Sequence, residues 1–93
     1  MVTVYVSIGN SDDRLSQSEW ASFAQEVQGR VSLDASRVHG YWASSTLSPW
    51  QNACICADIP LAIVPALKRE LAVIGRRYRQ DSVSWAVAET EFI

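Results

Sequence analysis

Residues 2–8 read Val2-Thr3-Val4-Tyr5-Val6-Ser7-Ile8. Val2, Val4, Val6 and Ile8 fall on one side of an extended chain, and Thr3, Tyr5 and Ser7 fall on the other. A period of two predicts a strand with one buried face. Gly9-Asn10-Ser11-Asp12-Asp13 ends it with turn-forming residues. Ser16 and Glu19 then stand at capping-box spacing, with Leu15 and Trp20 placed to form a hydrophobic staple. Trp20, Phe23, Ala24 and Val27 recur at i, i+3, i+4 and i+7, the stripe of a helix packed on one side. Gly29 is the expected stop of that helix.

Further along, Val31 to Arg37 show no clear period and read as a connection. Val38 to Ala43 is short and aromatic, a strand. Ser44 to Pro49 has loop composition. Trp50 to Ile59 is a third strand, with Ala53, Ile55, Ala57 and Ile59 on one face and a bulge expected near Asn52. Pro60 and Pro65 bracket a helix start, since proline is tolerated in a first turn, so the regular helix is predicted from near Val64. Leu67, Leu71, Ile74 and Tyr78 mark its apolar face. Ser82 to Ala88 alternates again, with Val83, Trp85 and Val87 inward. The order β-α-β-β-α-β predicts an α+β, ferredoxin-like domain over residues 1–93. Its four-stranded antiparallel sheet would have the first and third strands central and both helices on one face.

Composition agrees with one globular unit. Of 93 residues, 48% are apolar and 19% charged, which excludes an intrinsically disordered chain. A chain of this length buries roughly 60–65% of its unfolded surface, enough for one core. No apolar run is long enough to span a membrane, and the start lacks the basic region of a signal peptide. The net charge of −2 argues against general nucleic-acid binding, which needs many phosphate contacts. Yet five of the eight basic residues, Lys68, Arg69, Arg76, Arg77 and Arg79, fall within twelve positions. Cys54 and Cys56 lie two apart on one strand, a geometry awkward for a disulfide. Two thiols without a secretory leader point to a reducing, cytoplasmic setting.

Four groups of residues are candidates for chemistry. The loop Asn10, Ser11, Asp12 and Asp13 joins a strand end to a helix start, where backbone N–H groups can meet an anion, two carboxylates can hold a divalent cation, or a polar turn simply leads into a capped helix. The aromatic set Tyr5, Tyr41, Trp42, Trp50 and Trp85 contains more rings than one core needs. Tyr5 lies on the sheet face the helices would leave bare, where rings stack on a ligand or bury against a second copy. His39 is the one histidine, the residue type most often used as a general base, and Gln51, Asn52, Arg77, Tyr78, Gln80 and Asp81 are polar neighbours it could meet. Arg76-Arg77-Tyr78-Arg79 would suit a phosphate or a solvated helix end.

Several families with this element order do not fit. The third strand, Trp50-Gln51-Asn52-Ala53-Cys54-Ile55-Cys56-Ala57, lacks the aromatic signature of an RNA-recognition motif. Gly9-Asn10-Ser11-Asp12 stands where a metal chaperone carries C-x-x-C, and the arginine-bearing first loop of an acylphosphatase is missing. Four segments resemble a group of small proteins of actinobacteria and their phages. They are Ser7-Ile8-Gly9-Asn10-Ser11-Asp12-Asp13, Leu15-Ser16-Gln17 with Glu19-Trp20, Pro49-Trp50-Gln51-Asn52-Ala53-Cys54, and Tyr78-Arg79-Gln80-Asp81-Ser82-Val83-Ser84-Trp85-Ala86. The resemblance implies a possible phage origin and no activity.

The expectation is therefore a small non-enzymatic binding module, a homo-oligomer that takes a protein partner or a small anionic, nucleotide-like ligand, with no cofactor and no metal. Asn10, Ser11, Asp12, Asp13, Trp50, Gln51, Asn52, Arg77 and Gln80 are its candidate binding residues. The alternative is a metal-dependent nuclease or phosphohydrolase with Asp12 and Asp13 as ligands and His39 as base. It needs the first loop and the second strand to approach each other.

Overall fold

Alternation and helical period become real elements in a computed structural model of residues 1–93. The strands are β1 (Val2–Gly9), β2 (Arg37–Ala43), β3 (Asn52–Ile59) and β4 (Ser84–Ala88); the helices are α1 (Gln17–Asp34) and α2 (Val64–Arg77). The sheet is antiparallel with order β2-β3-β1-β4, so β1 and β3 are central as the sequence predicts. This is the α+β, ferredoxin-like arrangement.

Register decides what each face carries. Val4 pairs with Ala57, Val6 with Ile55 and Ile8 with Ala53, and on the other side Val6 pairs with Trp85. The inward set of β1 and β3 is buried against Phe23, Val27 and Val31 of α1 and Leu67, Leu71 and Ile74 of α2. Each of the Val, Leu, Ile and Phe side chains among these contributes about 1.5–3 kcal/mol by leaving water. The opposite set is Thr3, Tyr5 and Ser7, facing Asp58, Cys56 and Cys54 in register. No helix covers it.

Local chemistry sets the element ends. The Ser16 hydroxyl accepts from the Glu19 N–H at 3.2 Å, and the Glu19 carboxylate accepts from the Ser16 N–H at 3.1 Å, so the capping box is complete. Gly29 does not stop α1. It has no positive φ, and Val31, two residues on, is fully buried, so the helix runs to Asp34 to deliver it. Pro65 sits in the first turn of α2. At the other end Gln80 N–H donates to Gly75 O (2.9 Å) and Arg79 N–H to Arg76 O (3.0 Å), the paired bonds of a Schellman close. The left-handed position falls to Arg79 (φ 57°) instead of a glycine.

The expected place of the bulge needs correcting. β3 alternates cleanly from Asn52, and the bulge lies in β2 instead, between Val38 and Gly40. It breaks the alternation that would put His39 and Tyr41 on one side. Tyr41 pairs with Ile55 and packs on the core, whereas His39 meets Asp58.

Aromatic contacts join the two helices at one end. Phe23 stacks on Tyr78 at 5.1 Å and meets Trp20 edge-on at 6.1 Å. The Tyr78 hydroxyl donates to Glu26, and Arg77 pairs with the same carboxylate at 2.8 Å. The hydroxyl first, then the guanidinium, hold the Glu26 carboxyl below its ordinary range. Arg79 reaches Glu19 at 2.8 Å. No helix is long and apolar enough to cross a membrane.

Candidate functional site

The expected residues meet at the corner where β1 enters α1. Asn10 continues β1 by donating its N–H to Gln51 O (3.0 Å). Its side-chain amide donates to Gln51 Oε1 (2.8 Å) and Leu15 O (3.1 Å), and its Oδ1 accepts from Leu15 N–H (2.9 Å). Gln51 in turn donates to Gln17 Oε1 at 2.9 Å. The Schellman close of α2 swings Gln80 into the same corner, where its Oε1 accepts from Ser11 N–H at 3.0 Å and its Nε2 donates to Tyr78 O at 3.0 Å. Gln51 and Gln80 are only 9% and 6% exposed, and no buried side-chain polar atom lacks a partner. The Asn10 and Ser11 N–H groups and the Asn10 and Gln51 side-chain amides are spent on partners inside the molecule. A complete capping box likewise occupies first-turn donors of α1.

The other predicted residues disperse. Asp12 and Asp13 are exposed with φ 53° and 54°, and Asp12 pairs with Arg14 at 3.3 Å. Arg14 also reaches Asp81 (3.0 Å) and Arg79 O (2.8 Å), which ties the first loop to the end of α2. Trp50 is 81% exposed in the β2–β3 connection, and Asn52 donates to its carbonyl at 3.0 Å. Arg77 is held by Glu26 between the helices. The structure thus brings together Asn10, Ser11, Gln51 and Gln80, with Asp13 at the rim through a 3.4 Å bond from the Asn10 amide, and leaves Asp12, Trp50, Asn52 and Arg77 apart from them.

A second region emerges from register alone. Thr3 lies opposite Asp58, and its hydroxyl donates to Asp58 Oδ1 at 2.6 Å. The β2 bulge brings His39 Nε2 to 3.0 Å from the same oxygen. The Thr3 hydroxyl first, then His39, hold the Asp58 carboxyl below the ordinary aspartate range. Beside this cluster Trp42 lies across Gly40: a Cβ built at Gly40 would fall 2.7 Å from the indole. Tyr5 and Trp42 stay 42% and 56% exposed, while Cys56 between β1 and β2 is buried. Together with Phe92 they border a shallow depression of about 450 Å³ on the open face.

This end of the sheet is remote from the corner. Thr3 and Gly9 are six residues apart on β1, roughly 20 Å. His39 therefore pairs with Asp58 and does not approach Asp12 or Asp13, as a shared metal site would require. No three His, Cys, Asp or Glu side chains converge anywhere. Asp58 and Thr3 escaped the sequence reading; the two-residue alternation puts each on the open face, but only the β1–β3 register puts them together. No family model matches the chain and no curated protein matches it.

Proposed function

We propose that the protein is a non-enzymatic binding module whose working surface is the helix-free face of the sheet, and that a second copy of the chain is its first partner there. One observation carries this reading: Tyr5 and Trp42 stand exposed on a sheet face whose opposite side is fully packed. A sheet face of this kind gains by burying its rings against another layer. The adjacent Phe92 extends the apolar patch, and the Asp58–His39–Thr3 cluster gives it a polar border. A protein partner of the assembled module would compete for the same rings.

Light scattering on a sizing column tests it. At an ionic strength near 1 M, where the screening length is about 3 Å, contacts held by charge are weakened and apolar ones persist. The expected result is a concentration-dependent mass above that of one chain, with association at least about tenfold weaker in Tyr5→Glu/Trp42→Glu and the helical circular dichroism unchanged. A wild-type chain that stays single at every concentration overturns the reading.

A further inference from the structure

The two edges of the sheet differ. β2 is guarded in the usual ways: a bulge between Val38 and Gly40, Arg37 at its start and His39 within it. β4 reads Ser84-Trp85-Ala86-Val87-Ala88, with no charge, no proline and no bulge, and it pairs only with β1. Its outer backbone N–H and C=O groups are a template for another strand. Val87 pairs with Val4 and so belongs to the helix side of the sheet, yet it is 59% exposed because nothing flanks the edge.

Alongside runs a groove of about 420 Å³ between α2 and β4, floored by Leu71, Gly75 and Val83 and rimmed by Lys68, Arg76, Trp85 and, at one end, Asp81, which Arg14 neutralises. Lys68 Nζ stands 5.2 Å from the centre of the Trp85 ring. Arg77 and Arg79 are spent on glutamates of α1, but neither Lys68 nor Arg76 takes part in any ion pair. Glu89 and Glu91, just past β4, also have none. Trp85 and Val87 alternate toward the helix side, and Glu89 continues that alternation.

We propose that β4 pairs antiparallel with β4 of a second copy, joining two sheets into one of eight strands. In a register centred on Ala86, Glu89 of the second copy falls opposite Val83, on the helix side and next to Arg76. Trp85 and Val87 of each copy then face one another along the mouth of the groove. The two-fold repeats every contact, so the pairing is self-complementary. Strand addition supplies the main-chain bonds, and Glu89 of each copy meets Arg76 of the other, while Glu91 falls opposite Asp81 and takes no part. This surface is separate from the open face, so either interface can fail without the other.

Charge reversal tests it in the Tyr5→Glu/Trp42→Glu background, where the open face is disabled. At low salt this background forms a dimer by light scattering, and raising the salt weakens it roughly tenfold, the scale of two rim ion pairs. Arg76→Glu and Glu89→Lys each abolish the dimer alone, and an equimolar mixture of the two restores it. A mixture of folded variants that stays monomeric overturns the proposal. So does amide exchange in β4 that does not slow as the concentration of the background variant rises, a measurement that needs no charge change.

Discussion

The Asn10 corner and the open face of the sheet both carry side chains that look functional, and they resolve in opposite ways. At the corner, polar groups from four stretches of chain meet, and each finds a partner inside the molecule. On the open face, rings stand beside one small polar cluster, and nothing in the chain covers the rings. A dense polar motif is therefore a poor sign of a binding site where the topology lets its members satisfy one another. Unspent surface is the better sign. The same test separates the arginines: Arg77 and Arg79 hold α2 to α1, and Arg76 is left over.

The largest effect should come from the corner. Asn10→Ala removes the partner of Leu15 N–H and leaves the buried Gln51 amide short of a bond. Stranding buried groups in this way costs about 2–3 kcal/mol, to be read as a lower urea midpoint with unchanged slope. If the loss is under about 0.5 kcal/mol, an ordinary surface change, and if phosphate or a nucleotide raises the wild-type melting temperature, the corner is a ligand site after all. The comparison then breaks.

An intermediate effect belongs to the face. In Gly40→Ala the new Cβ would meet the Trp42 ring at 2.7 Å, so the indole must leave its seat. The ring is half exposed and free to swing, and the strand gains from losing a glycine. The net change in folding stability should stay within about 1 kcal/mol, while self-association at high salt falls away with the displaced ring. A variant that loses much stability and keeps its association would show that Trp42 serves the fold and not the contact.

Much of the fold was legible because it depends on neighbours in sequence. Val2 to Ile8 and Ala53 to Ile59 declare their faces by alternation, Ser16 and Glu19 cap within one turn, and Pro65 marks a helix start. What was not legible depends on partners far along the chain. Gln51 meets Asn10 across 41 positions and Gln80 meets Ser11 across 69, so their polarity read as availability. Thr3 and Asp58 are 55 apart, and nothing local distinguishes them from solvent-facing residues. The bulge went to β2 because His39, rather than Asn52, leaves the regular ladder. Gly29 misled for a different reason: a glycine ends a helix only where a left-handed residue is needed, and the burial of Val31 requires the helix to continue.

The smallest effect falls on the polar cluster that borders the rings of the open face. Asp58 is held below the ordinary aspartate range by the Thr3 hydroxyl first and His39 second. A carboxylate with a depressed folded value stabilises the protein above that range, and the contribution disappears as pH falls through the folded value. Thr3→Val removes the leading cause, so the Asp58 titration observed by carboxyl NMR should move back toward the ordinary range. The stability gap between wild type and variant should be full near neutrality and should narrow as the solution is acidified through that range. A gap that ignores pH, with an Asp58 titration that does not move, would mean that the hydroxyl is not what commits this oxygen. Asp58 would then join Tyr5 and Trp42 among the groups on this face still free to meet a partner.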